Sequence, residues 1–411
     1  MEGERSARRF VIWGAICAGA AVAAYWRALS LPLISDDYLV IWLARGYGEP
    51  GSWSNLWGDA LYRCRATFMI LTHFMDRWFG VADLPYNVAS LLLHIANCLL
   101  ILALACWDRI GWRLAIPAAI FFAVRQGHQE AVIWYSAMPD QLVLLFGLAA
   151  VHALLRDRLA LVWLFYLLAL ASKESAVSLT GFFALIWFAR GTPWKTVALR
   201  TAPFAAAALV YFAASYLDRS THLHYNDGTF SLSAPFVWIA ARSISRALWV
   251  AGWVALAALA WRRSRELWIT AAFGLVWMAI ALLPYSFLTY MPFVPSRHTY
   301  IAGVGVSVIA AAGFVALRER TRPSIAAAAA AAILLGNAAY LWTRKHEQFV
   351  ERARPTEVVV DAVRDRRGTV EVECFPYPTH VADMAIELHY GEKRDVRYTC
   401  GEKREFRVRT N

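Results

Sequence analysis

The chain has 411 residues, 59% of them hydrophobic and 17% charged, and its mean hydropathy is +0.43. A water-solvated surface is not that apolar, so disorder, collagen, a disulfide miniprotein and a nucleic-acid-binding module are excluded. The formal net charge of +11 would suggest an anionic partner in a soluble protein, and its meaning here depends on where the charges sit.

An apolar run of about 20 residues spans a bilayer as a helix. Eleven segments qualify in chain order, near 10–29, 86–107, 110–124, 140–155, 159–172, 175–189, 197–217, 244–261, 267–288, 299–317 and 323–342. The first follows Arg5, Arg8 and Arg9, as a signal peptide would. No small-residue cleavage site precedes Leu31-Pro32, so it reads as a retained helix. With a cytoplasmic N-terminus and alternating loops, the inner segments hold 16 basic and six acidic residues, the Arg262-Arg263-Ser264-Arg265 run among them. The outer segments before residue 343 are balanced, with 11 of each sign. Positive residues collect inside, so this asymmetry predicts a multi-pass protein of a bacterial-type inner membrane with an extracytoplasmic C-terminus.

Composition changes at residue 343. Thr343–Arg367 reads as a polar helix, and Thr369–Phe375, Val396–Cys400 and Glu405–Val408 alternate like short strands. The expected fold is therefore an all-α polytopic membrane domain over 1–342, followed by a small extracytoplasmic α+β domain over 343–411. Cys374 and Cys400 both fall in the outer domain, where a disulfide is permitted.

No Asp or Glu falls at the centre of an expected span, where ion-coupled transporters usually place one. GxxxxGK[ST], CxxC and HExxH are absent, which argues against ATP hydrolysis and a structural zinc site. The unusual polar residues lie in the outer loops instead. The outer loop 30–85 begins with Ser35-Asp36-Asp37-Tyr38. A solvated surface pair is the plain reading of two adjacent carboxylates. The chemical reading is a general base, with or without a divalent cation (Mg or Mn) shared by the pair. The same loop carries Trp53, Trp57, Leu61, Cys64, Phe68, Leu71, Met75 and Trp78, one apolar stripe on an amphipathic helix over about 53–79. That helix either lies in the membrane interface or packs on the bundle.

The next outer loop holds Arg125, His128, Glu130 and Asp140; His128 and Glu130 are too few for a metal site but suit sugar hydroxyls. Residues 159–189 are too long for one span and fold back at Ser172-Lys173-Glu174-Ser175. Lys173 and Glu174 there either neutralise each other or offer the ammonium to a lipid phosphate. Arg297, in Pro295-Ser296-Arg297-His298, is on the wrong side for a topology signal, and its fork suits a phosphate or a headgroup.

The order of these features resembles the GT-C superfamily of polytopic glycosyltransferases, most nearly the transmembrane O-mannosyltransferases that carry tetratricopeptide repeats and their bacterial relatives. The matching residues are Asp36-Asp37, Tyr62-Arg63, Leu84-Pro85-Tyr86-Asn87, Leu91 to Asn97, His128 to Val132 with Asp140, Leu170 to Glu174, and Arg297 to Tyr300. No repeats follow the last span, and Tyr62-Arg63-Cys64 stands where the family has Tyr-Arg-Pro. The resemblance implies an inverting transfer of a sugar from a polyprenyl-phosphate donor to an acceptor hydroxyl at the outer membrane face. Asp36 or Asp37 would be the base. Lys173, Arg297, Arg125 and Arg63 would bind the donor phosphate, and His128, Glu130, Asp140, Glu174 and His298 would position sugar or acceptor. Membrane lipid is the other implied partner, and the acceptor stays open among glycan, lipid and protein. The rival readings are a transporter or flippase of lipid-linked sugars, which should show internal repeats or intramembrane charges, and a non-catalytic membrane scaffold.

Overall fold

A computed structural model describes residues 2–48, 65–217, 228–289, 291–364, 368–400 and 406–410. In chain order its helices are α1 (Glu2–Tyr25), α2 (Asp36–Arg45), α3 (Ala66–Phe79), α4 (Asp83–Ala103), α5 (Gly111–Val124), α6 (Gln129–Ile133), α7 (Met138–Leu155) and α8 (Leu159–Leu170). There follow α9 (Leu179–Ala189), α10 (Trp194–Leu217), α11 (Phe236–Arg262), α12 (Arg265–Leu282), α13 (Ala302–Arg320), α14 (Pro323–Tyr340) and α15 (His346–Val363). Among the described residues, eight helices are long and apolar enough to cross a membrane. Three shorter apolar ones, α5, α8 and the stretch Glu174–Ala189, stand where the remaining expected spans fall. The chain is a multi-pass membrane protein.

The bundle centres on α13, which is buried along most of its length between α5, α11 and α12. Small residues permit this. A Cβ on Gly305 would sit 2.3 Å from the Gly274 carbonyl oxygen of α12, and one on Gly313 would sit 2.3 Å from the Ala255 Cβ of α11. In lipid, helices gain little from hydrophobicity and associate through such close backbone approach. The arginine-rich end of the bundle is tied by ion pairs: Arg113 and Arg262 share Glu319, and Arg190 binds Asp157 at 2.9 Å.

The other end carries the elements that build the site. The loop after α1 is not all irregular, because Asp36–Arg45 forms α2. Of the amphipathic helix expected over 53–79, Ala66–Phe79 is helical, while Trp53, Trp57, Leu61 and Cys64 lie outside the described residues. Its described part packs on the bundle through Phe68 and Met75 and leaves Phe74, Trp78 and Phe79 exposed.

The C-terminal segment forms a three-stranded sheet in the order β2-β1-β3, where β1 is Val370–Glu373, β2 is Val396–Thr399 and β3 is Arg407–Thr410. β2 runs parallel to β1 and β3 antiparallel to it. The third strand starts two residues later than its sequence pattern suggests. A helix missing from the sequence reading, α16 (Thr379–Tyr390), joins β1 to β2 and buries Val381, Ala382, Ala385 and Ile386. Cys374 and Cys400 form a disulfide. This segment has no core of its own. Val359, Val363, Val372 and Ile386 share one apolar cluster with Tyr38 and Ile41 of α2, Phe68 of α3 and Tyr135, so α16 packs directly onto the helix that carries the two aspartates.

Candidate active site

The Asp36-Asp37 pair opens α2 behind a turn in which Ser35 adopts φ +42°. That conformation costs a non-glycine residue about 1–3 kcal/mol and persists only where neighbours enforce it. Here the first turn of α4 does so. Asp83 accepts from the Leu33 N–H at 2.9 Å, and the Asn87 amide donates to the Leu31 carbonyl at 2.7 Å.

The two carboxylates have different surroundings. Asp37 is buried, and its Oδ1 accepts from the Ser136 N–H and hydroxyl, both at 2.7 Å. Its Oδ2 accepts from the Ile34 N–H at 2.8 Å. Burial pushes the Asp37 carboxyl up to about 7, against these hydrogen bonds, which favour the ionised form. Asp36 is half-buried, and among the described residues its carboxylate accepts from the Ser35 hydroxyl alone, at 3.3 Å. The pair therefore does not aim two open carboxylates at one ligand. Tyr377 of the C-terminal segment is a neighbour of Asp36. Its phenol is pushed up by burial, lowered by Arg352 and raised again by Asp36.

Lys173, Asp140 and His298 come together, from three separate parts of the chain. The Lys173 ammonium donates to Asp140 Oδ2 at 2.6 Å and lies 3.2 Å from His298 Nδ1. The Tyr285 hydroxyl donates to the other Asp140 oxygen at 2.6 Å, and its ring stacks on His298 at 4.3 Å. Burial lowers the Lys173 pKa, while Asp140 and then Glu174 hold it up. Burial also keeps His298 far below its usual range, hence neutral at pH 7. This knot fixes the α8–α9 turn against α7 and the loop before α13.

His128 is fully buried, with Nδ1 3.1 Å from the Phe122 carbonyl and its ring 4.8 Å from Tyr300. His94 and Asn97, one turn apart on α4, both reach the Tyr300 hydroxyl, at 2.8 and 3.3 Å. These motif residues bind the loop ends to the bundle interior. Glu130 accepts from the Ser296 hydroxyl at 2.6 Å and from the Arg297 N–H at 3.0 Å. Arg63 lies outside the described residues. Among the described residues no three His, Cys, Asp or Glu side chains converge as metal ligands would.

Arg125 differs from Lys173. It is buried, and its Nη2 donates to the Ala247 carbonyl at 2.8 Å, while Nη1 has no partner among the described residues. Burial lowers its guanidinium to about 10, which leaves it charged at pH 7. It lines a polar pocket of about 160 Å³ together with Arg246, Lys345, Gln129, Ser243 and Ser296. Three cations and no carboxylate border that space. Sequence reading missed Arg246 and Lys345 because each is one cation in a charge-balanced outer segment; only the fold brings them to Arg125.

A second cavity, of about 820 Å³, lies on the arginine-rich side of this pocket. The same three helices wall both spaces. On α5 the lining passes from Arg125, just past its end, to Phe121 and Trp112; on α11 from Ala247 to Ala251 and Ala258; on α14 from Tyr340 to Leu334 and Ala326. At Trp249, between the two parts, α11 is kinked, with φ +44°. The two spaces are thus a cationic pocket and a mainly apolar cavity on the same three helices, the cavity bordered at its arginine-rich end by Arg9, Arg113, Arg318 and Glu319.

No protein-family model matches the sequence, and no curated protein matches it. Among solved structures the chain is similar to the crystal structure of ArnT from Cupriavidus metallidurans bound to undecaprenyl phosphate. The TM-score is 0.50 at 14% sequence identity, over 95% of this chain and 86% of that one. The likeness establishes the fold: a polytopic helical membrane protein with a small α+β segment at its C-terminus.

Proposed function

We propose that the chain is an inverting GT-C glycosyltransferase that moves a sugar from a polyprenyl-phosphate donor to an acceptor hydroxyl at the outer membrane face. The observation that carries this reading is the succession of the two spaces along α5, α11 and α14. A cationic pocket with no carboxylate among its described lining residues, in line with a mainly apolar cavity, complements a lipid phosphate with an isoprenoid tail. Two further facts support it: the order of the sequence motifs, and a fold shared with a protein crystallised with undecaprenyl phosphate.

In this reading the phosphate sits against Arg125, Arg246 and Lys345, and the prenyl chain fills the cavity. The Gln129–Ser136 stretch joins this pocket to Asp36, with Gln129 in the pocket and Ser136 on Asp37. The sugar lies along that stretch. Asp36, the more open of the two carboxylates, takes the proton of the acceptor hydroxyl. The hydroxyl oxygen attacks the anomeric carbon as the bond to the phosphate oxygen breaks, and configuration inverts. The electron pair leaves with the phosphate, already an anion, so cations stabilise it and no acid is needed. Asp37 holds the turn that aims Asp36, and Lys173 holds the loops around it without touching the donor.

Incubating the purified protein with polyprenyl-phosphate sugars and measuring released polyprenyl phosphate tests the reading. Asp36→Asn should lower kcat by about 100- to 10,000-fold and leave undecaprenyl-phosphate binding unchanged. Equal turnover by the variant and the wild type would sink it.

A further inference from the structure

One cluster on the Gln129–Ser136 stretch has no part in the reaction as derived. The Trp134 ring carries two guanidiniums, with the Cζ atoms of Arg297 and Arg352 at 5.3 and 4.6 Å from its centroid. Both positive charges face one indole, and among the described residues the carboxylate that meets them is Glu130. Its Oε2 is taken by Ser296 and the Arg297 N–H, and its Oε1 lies 3.6 Å from Arg352 Nη1, beyond hydrogen-bonding length. Arg297 spends only its Nε, on His298 at 3.2 Å. The Trp134 indole N–H is buried and has no acceptor among the described residues. None of these three side chains lines the Arg125 pocket. Two planar forks and one unmet donor around an indole face complement an oxyanion bound in bidentate fashion.

We propose that Trp134, Arg297 and Arg352 form a second anion subsite beside Asp36, which takes a phosphate or carboxylate group borne by the acceptor or by the transferred sugar. The identity of those substrates rests on the function proposed above, but the subsite itself does not. Arg352 belongs to α15, so the C-terminal segment completes the site. Its carbonyl accepts from the Tyr377 hydroxyl at 2.7 Å, which fixes the arginine next to the neighbour of Asp36. A simple latch between Arg352 and Glu130 would hold the same segment in place, and the test must separate the two.

The full-length purified protein is saturated with undecaprenyl phosphate to fill the Arg125 pocket, then titrated calorimetrically with inorganic phosphate and, separately, with glucuronate. At least one of the two should still bind. Arg352→Gln should weaken that binding about tenfold or more, with undecaprenyl-phosphate affinity unchanged, and Arg352→Lys should fall between. Glu130→Gln, which removes the competing charge and keeps an acceptor oxygen, should tighten it. The proposal is overturned if undecaprenyl phosphate displaces both probes or if Arg352→Gln changes neither affinity. It is also overturned if Glu130→Gln weakens binding as Arg352→Gln does, the signature of a latch. Steady-state kinetics then locate the anion: a raised KM in Arg352→Gln for the acceptor alone places it there, and a raised KM only for uronic-acid donors places it on the sugar.

Discussion

Lys173 and Arg125 are both buried cations at the same end of the bundle, and their surroundings are opposite. Lys173 has a carboxylate at 2.6 Å, closed on its far side by a tyrosine. Arg125 has one backbone carbonyl, an unpartnered Nη1 and two more cations around the space it faces. A buried charge must be compensated. In the first region the protein supplies the counter-charge. In the second none of the described residues does, which is why the proposed phosphate is assigned there. Burial of a basic residue is therefore not the mark of a binding site; the missing acid is.

Removing the internal counter-charge should have the largest effect. Asp140→Asn leaves Lys173 buried and unpaired, at a cost of about 3–5 kcal/mol. It should appear as a loss of folded protein in size-exclusion yield and thermal melting, and Lys173→Met added to it should restore much of the yield. The same kind of change in the open region should leave the fold alone. Arg125→Gln should keep the melting temperature and weaken undecaprenyl-phosphate binding about 10- to 100-fold, the worth of a charged hydrogen bond. If both variants unfold, the contrast fails.

Asp37 stands between these cases, a buried charge compensated by dipoles rather than by a cation. With its pKa raised to about 7, the folded state favours its protonated form, so stability from this group is full at low pH and is lost as pH rises through 7. Activity should run the other way, because the protonated acid has one acceptor too few to hold both Ser136 and Ile34. The rate should fall about tenfold per unit below pH 7, and Asp37→Asn should flatten both profiles. The smallest effect tests position alone. A Cβ on Gly127 would lie 2.4 Å from Arg125 Nη1, so Gly127→Ala moves the guanidinium without changing charge. It should weaken lipid binding a few-fold, by about 1 kcal/mol or less, and leave the Lys173 region untouched.

The sequence carries the membrane helices plainly because apolar length and arginine placement are local properties. α2 and α16 are not visible in the same way. α2 is ten residues long, and α16 is a 12-residue amphipathic stretch that packs on α2, distant in sequence. The site is legible by motif but not by role. Nothing local tells Asp36 from Asp37, since the difference lies in Ser136, 99 residues away. Lys173 is a plausible phosphate ligand until Asp140, 33 residues earlier, is seen to hold it. Arg246, Lys345 and Arg352 belong to charge-balanced segments, and only the fold brings them to Arg125 and Trp134.

α14 and α15 are one nearly unbroken rod, Pro323–Val363, of 41 residues, with a single π-turn at Leu341–Lys345. Its lower half lines the cavity with Ala326, Ala330 and Leu334, its middle borders the Arg125 pocket with Tyr340 and Lys345, and its upper half bears Arg352. The rod thus works as a ruler. Lys345 and Arg352 are seven residues, or about 10 Å of axial rise, apart, so a helix sets the gap between these members of the two proposed anion sites. One residue added at the π-turn turns Arg352 by about 100° and puts the mark on the wrong face. In the proposed function the count of residues along this stretch is itself part of the specificity.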